Sequence, residues 1–191
     1  MKKFKRRGDV IATRFSSYEV DLLSSLVSQL VEMVSDGEPQ AFERQQEPED
    51  PFALWAQDLA AEPDAPEVSD DPVLQRLFPN AYPHDAEAAS DFRRFTERDL
   101  KAKKITEAQV VLQRLADTAH GLTDVRIPAS EVDPWLRTLT SVRLAVATRL
   151  GITDSESAQQ LEQLPDSDPR SFMLSVYDWL GFAEETLISA L

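Results

Sequence analysis

Residues 16–34 read SSYEVDLLSSLVSQLVEMV. Leu22, Leu23, Leu26, Val27, Leu30, Val31 and Val34 recur at the three- and four-residue spacing of one helix face. Ser16, with Glu19 three residues on, has the form of a capping box, in which each side chain satisfies the other residue's free backbone N–H. The stretch predicts an amphipathic helix of about five turns, ended by Asp36-Gly37. One apolar stripe of this kind needs partners, and most of the remaining chain supplies more helices.

Upstream, Phe4, Val10, Ile11 and Phe15 mark two short strands in residues 4–15 with a turn at Gly8-Asp9. A two-stranded ribbon alone is marginal and needs helices or a third strand. Val125-Arg126-Ile127-Pro128 is the candidate third strand. Asp71, Pro72 and Pro79 bracket a short helix, with Asp71 as cap and Pro72 at the first helical position. From Asp85 to about Ala119 no Pro or Gly interrupts a helical pattern. Its apolar points are Ala88, Phe92, Phe95, Leu100, Ile105, Ala108, Val111, Leu112 and Leu115, and Thr106 is a candidate local break. Glu97 with Lys101, and Asp99 with Lys103, have the spacing of favourable helical ion pairs.

Ser130 is a candidate cap for a helix with a core face of Trp135, Leu139, Val142, Val146 and Leu150. Gly151 stands where a left-handed C-terminal cap belongs. Thr153-Asp154-Ser155-Glu156 reads as a second capping box. Asp168-Pro169 opens the last helix, with Phe172, Val176, Trp179, Leu180, Ala183, Leu187 and Leu191 on one face. The expected fold is mainly α: five to six helices packed with a small three-stranded antiparallel sheet, in one domain over 1–191.

One segment departs from this pattern. Six of the twelve prolines fall in 39–72, and Asp36 to Asp71 holds twelve acidic side chains against Arg44. With a net charge of −14 for the chain, that window alone contributes −11. Residues 37–71 therefore read as an acidic, Pro-rich insert. Inside it, Phe52, Leu54 and Trp55 form an amphipathic island, read either as a staple to the core or as a docking motif for a partner.

Composition narrows function. With 0 cysteines, disulfides, thiolate catalysis and Cys-ligated metals are excluded, and a reducing cytoplasm fits. The basic start, Lys2 to Arg7, lacks the apolar region of a signal peptide, and no stretch approaches the ~20 apolar residues of a membrane helix. Five glycines build no phosphate loop, and no nucleophile elbow or His-Glu-x-x-His is present. His84 and His120 lie too far apart on the expected long helix to share a metal. No catalytic residue, cofactor or metal is expected. Arg93 and Arg94 give the long helix a basic patch. Arg143 borders the core, paired with a carboxylate such as Asp178 or Asp99, or facing a partner. DNA binding through the basic start is the weaker reading for so acidic a chain. The apolar helix faces would serve a homodimer seam or a monomer core equally.

Several stretches together resemble one family: Leu77-Phe78-Pro79-Asn80-Ala81-Tyr82, residues 87–100, Trp135-Leu136-Arg137-Thr138-Leu139, residues 142–152, and Val176-Tyr177-Asp178-Trp179-Leu180. The family is actinobacterial, of unknown function, often encoded beside the Clp adaptor ClpS, and includes the oxidative-stress regulator AosR. The resemblance implies a cytoplasmic regulator that binds a protein partner such as a sigma factor or RNA polymerase, or else a factor associated with the Clp machinery. Redox sensing in the family is attributed to a cysteine pair, which this chain lacks. The candidate partner-binding residues are Phe52, Leu54, Trp55, Arg93, Arg94 and Arg143.

Overall fold

A computed structural model describes residues 1–35, 69–165 and 167–191. Most of the expected insert, with Phe52, Leu54 and Trp55, lies outside the described residues. These hold β1 (Lys5–Arg7), β2 (Val10–Thr13), α1 (Ser17–Ser35), α2 (Pro72–Leu77), α3 (Ala86–Ala116), β3 (Val125–Pro128), α4 (Val132–Leu150), α5 (Ser155–Glu162) and α6 (Pro169–Ile188). The fold is mainly α, six helices with one small antiparallel sheet.

Caps start most of the helices. Ser16 and Glu19 form the expected box: Ser16 N–H donates to Glu19 Oε2 at 2.8 Å, and Glu19 N–H to Ser16 Oγ at 3.3 Å. The Met1 amino group also meets Glu19, and Trp179 Nε1 donates to it at 3.2 Å. Asp71 and Asp168 cap α2 and α6, each followed by Pro at the first position. The box at α5 runs from Asp154 to Ser157, one residue later than the sequence pattern suggested. Ser130 caps nothing: it lies in a 3-10 turn, Ala129–Glu131, and α4 starts without a side-chain cap. Thr106 does not break α3; its hydroxyl bonds back to Ala102 O, which a continuous helix accommodates.

The sheet order is β1-β2-β3. Gly8, at φ 65°, turns the hairpin, and Ile11 pairs with both Arg6 and Ile127. Phe4, Ile11, Val125 and Ile127 point into the core. Phe4 meets Trp135 edge-on at 6.3 Å, and Phe15 lies 5.9 Å from Trp179. These contacts fasten the sheet to α4 and α6; Phe4, Phe15 and Trp135 are buried and Trp179 partly so, and aromatics of this size dominate core energetics. After α3, Ala119, His120 and Gly121 all take positive φ. A Cβ on Gly121 would stand 2.9 Å from Phe15 O, so this turn is pressed against the entry to α1.

α3 outruns the core. Its 31 residues extend about 46 Å, against about 28 Å for the 19-residue α1 and α4. It runs antiparallel beside α4, joined by Arg114–Glu131, Arg137–Glu107 at 3.6 Å and Lys104–Ser141 at 3.0 Å. Upstream of Leu100 only Ala89 is buried. Phe92, Phe95 and Leu100, apolar points of the sequence pattern, are exposed. At about 100° per residue Phe95 lies roughly 140–160° around the helix from Ala108, Val111 and Leu115. The helix carries two apolar stripes on opposed faces, and only the C-terminal one meets the core. In α6, Phe172 is likewise exposed, and Leu191 lies beyond the helix end.

Candidate protein interface

The exposed stretch from Tyr82 to Leu100 holds four of the ten exposed large hydrophobics among the described residues. Residues 172–191 hold another four, but around α3 two of the exposed aromatics touch each other, and such patches mark interaction sites. Tyr82 and Phe92 meet edge-on at 5.9 Å. Phe95, 68% exposed, carries the Arg94 guanidinium over its ring at 4.7 Å. Arg94 also pairs with Asp91 at 3.2 Å. The Nε atoms of Arg93 and Arg94 are shielded from solvent without a hydrogen-bond partner among the described residues. Arg98 is exposed on the same half of the helix. Aromatic side chains beside arginines are the composition found at binding hot spots.

Behind this ridge the core-side stripe of α3 turns polar. Lys101 is buried and pairs with Glu97 at 2.7 Å, the spacing expected for that pair. Phe78, just past α2, lies 5.9 Å from both the Lys101 and Lys104 ammonium groups. Burial lowers the Lys104 pKa below the usual lysine value, opposed by Glu107 and reinforced by Arg137. Polar packing here explains why the aromatics of this half turn outward.

Arg143 is not part of the ridge. It lies on α4 against α6, stacked 4.4 Å from the Tyr177 ring and donating to its hydroxyl at 3.1 Å. Its ion-pair partner is Glu184 at 3.4 Å, not Asp178 or Asp99. Glu184 also accepts from Thr140 at 2.7 Å. Gly181 leaves room for the guanidinium: a Cβ there would stand 3.2 Å from its Nε. Arg143 lines a cleft of about 390 Å³ with Arg76, Thr153 and Ser155. The structure thus brings Arg93 and Arg94 together with aromatics that sequence reading had assigned to the apolar pattern, and sets Arg143 apart. Tyr82, Phe92 and Phe95 were missed as surface residues. For Phe92 and Phe95 the signal available was their phase relative to Ala108, Val111 and Leu115; Tyr82 lies before the helix and carried none.

A second concavity, an apolar groove of about 440 Å³, lies between α1, α2, α4 and α6, lined by residues such as Leu26, Met33, Val146 and Met173. Asp71 lies at its rim. Burial alone would raise the Asp71 carboxyl, but hydrogen bonds from Val73 N–H and Arg149 outweigh it, and its pKa falls. Among the described residues no three His, Asp or Glu side chains group as a metal site, and no helix is long and apolar enough to cross a membrane.

The profile of a family described as Domain of unknown function (DUF2017) matches residues 1–191. A relative from Mycobacterium leprae (strain TN), named putative oxidative stress regulator AosR, is 29% identical over 206 residues, covering 100% of this chain and 88% of its own. The oxidative stress regulator AosR of Mycobacterium tuberculosis (strain ATCC 25618 / H37Rv) is 28% identical over 131 residues, covering 63% of this chain and 58% of that protein. The protein of the same name from Mycobacterium bovis (strain ATCC BAA-935 / AF2122/97) matches to the same extent. No solved structure matches the chain.

Proposed function

The chain belongs to the family described as Domain of unknown function (DUF2017), and on that premise we propose that it is a stress-response regulator acting by protein binding rather than by catalysis. The observation that carries this reading is the ridge of Phe92 and Phe95 on the N-terminal half of α3, with Tyr82 from the segment before it. A monomer gains nothing by holding aromatics in water, since burying each contributes about 1.5–3 kcal/mol. A partner that covers them recovers that energy. Arg93, Arg94 and Arg98 fit the ridge to an amphipathic segment that carries carboxylates among its apolar residues.

The names of the relatives support the stress-response part. With no cysteine in the chain, the regulation proposed here does not run through thiol oxidation. The family resemblance makes a sigma factor or RNA polymerase the first partner to test, and Clp components the second.

Purified wild type and the double variant F92S/F95S are compared for binding to a purified sigma factor, core RNA polymerase and Clp components. Binding of a transcription component that weakens at least about tenfold in the variant, at an unchanged melting temperature, supports the proposal. Binding to Clp components alone moves the protein to proteolysis. Binding that ignores both substitutions removes the ridge from the mechanism.

A further inference from the structure

With 0 cysteines, the chain carries its sulfur in 3 methionines, Met1, Met33 and Met173. Two of them line one cavity. Met33 stands in the last turn of α1 and Met173 in the second turn of α6. Both border the apolar groove of about 440 Å³ between α1, α2, α4 and α6. Both are half-buried and pack against the core. In the same lining, Leu30, Val73, Val142 and Val146 are no more than 4% exposed. Met1 does not share the groove. Its amino group meets Glu19 in the first turn of α1, at the opposite end of that helix from Met33.

This placement has a chemical consequence. A thioether deep in a core is out of reach of an oxidant, and one wholly in water is oxidised with little effect on the fold. A thioether on an open groove is reachable by a small oxidant, and the atoms around it are apolar ones that a new oxygen disturbs. The side-chain donors of the lining are engaged elsewhere. Gln29 donates to Ser25 Oγ at 3.0 Å, and Arg149 to Asp71 at 2.6 Å. The second pair ties α4 to the cap of α2. A sulfoxide oxygen in the groove either lacks a donor, which is costly for a shielded acceptor, or competes with Asp71 for Arg149.

We propose that Met33 and Met173 form an oxidation site, at which hydrogen peroxide converts both thioethers to sulfoxides and so loosens the packing of α1, α2 and α6. In each step a sulfur lone pair attacks one peroxide oxygen, the O–O bond breaks, an S–O bond forms and water leaves. Sulfur is oxidised by two electrons and the peroxide is reduced by two. Methionine sulfoxide reductases reverse the change. The site gives a chain without thiols a chemical response to oxidant. That regulatory use rests on the stress-response reading above; the chemistry does not, and its test involves neither the α3 ridge nor a partner.

The intact protein is treated with hydrogen peroxide at neutral pH, and sulfoxide at each methionine is read by peptide mass spectrometry. Met33 and Met173 are oxidised in the folded protein. The melting temperature falls by about 3–8 °C, and hydrogen exchange rises at the end of α1, in α2 and at the start of α6. Reductases for both sulfoxide epimers restore the melting temperature. M33L/M173L, a volume-conserving change, folds and keeps its melting temperature after peroxide. Oxidation of either methionine only after unfolding overturns the proposal, as does full oxidation without a fall in melting temperature. An equal fall in M33L/M173L overturns it and assigns the effect to Met1 or another side chain. A fall that the reductases leave in place marks general damage and overturns it too.

Discussion

Gly121→Ala and Gly151→Ala together test how tightly the turn after α3 is held. Both glycines have positive φ, 81° and 75°, where an L side chain costs about 1 kcal/mol. At Gly151 nothing lies within 4 Å of an added Cβ, so that cost stands alone. At Gly121 the same methyl meets Phe15 O at 2.9 Å, Ser16 C at 3.0 Å and Ser17 N at 3.0 Å. These are backbone atoms at the start of α1, fixed by the Ser16–Glu19 cap and by Phe15, which is 1% exposed. They must retreat by roughly half an ångström, against a close-packed core. The expected total for Gly121→Ala is about 2–4 kcal/mol, against about 1 kcal/mol for Gly151→Ala. For a protein of this size that is a fall in melting temperature of about 5–15 °C against about 2–4 °C. Urea unfolding followed by far-ultraviolet circular dichroism, with unchanged m-values, measures both. Equal destabilisation by the two substitutions would refute the close approach and the packing built on it.

Phe95→Ser should change stability by no more than about 0.5 kcal/mol, because the ring is 68% exposed. Trp135→Ala, at a side chain 0% exposed, should cost about 3–5 kcal/mol. Comparable losses in denaturant titrations would place Phe95 in the core. Asp168 responds to pH: the Arg170 guanidinium and backbone N–H lower its pKa from 3.8 to about 2. A depressed carboxylate contributes stability that is present above its ordinary pKa and lost as pH falls through the folded value. The melting temperature of wild type should therefore fall between about pH 4 and pH 2 more than that of Asp168→Ala. Parallel curves would show that this cap carries no such linkage.

Local chemistry accounts for what could be read ahead of the structure. The cap at Ser16 with Glu19, the Asp-Pro starts of α2 and α6 and the left-handed Gly151 each depend on a few adjacent residues. The third strand was legible because residues 125–128 had a strand pattern and a two-stranded ribbon alone is marginal. Ser130 failed as a cap because a residue fit to cap a helix does so only where the backbone enters the helix directly, and here a 3-10 turn intervenes.

The sequence by itself determined the mainly helical class, the hairpin, the Glu97–Lys101 pair and the absence of thiol chemistry. These follow from periodicity, spacing and composition, which a chain carries without knowing its neighbours. Only the tertiary structure decided which stripe of α3 is core and that Arg143 pairs with Glu184. An apolar stripe on a long helix is defined by what it packs against. The Phe92–Phe95 stripe points away from the Ala108, Val111 and Leu115 face that meets the core, and becomes surface. Contacts such as Arg143–Glu184, 41 residues apart in sequence, arise from how α4 and α6 lie together, and no local signal encodes them.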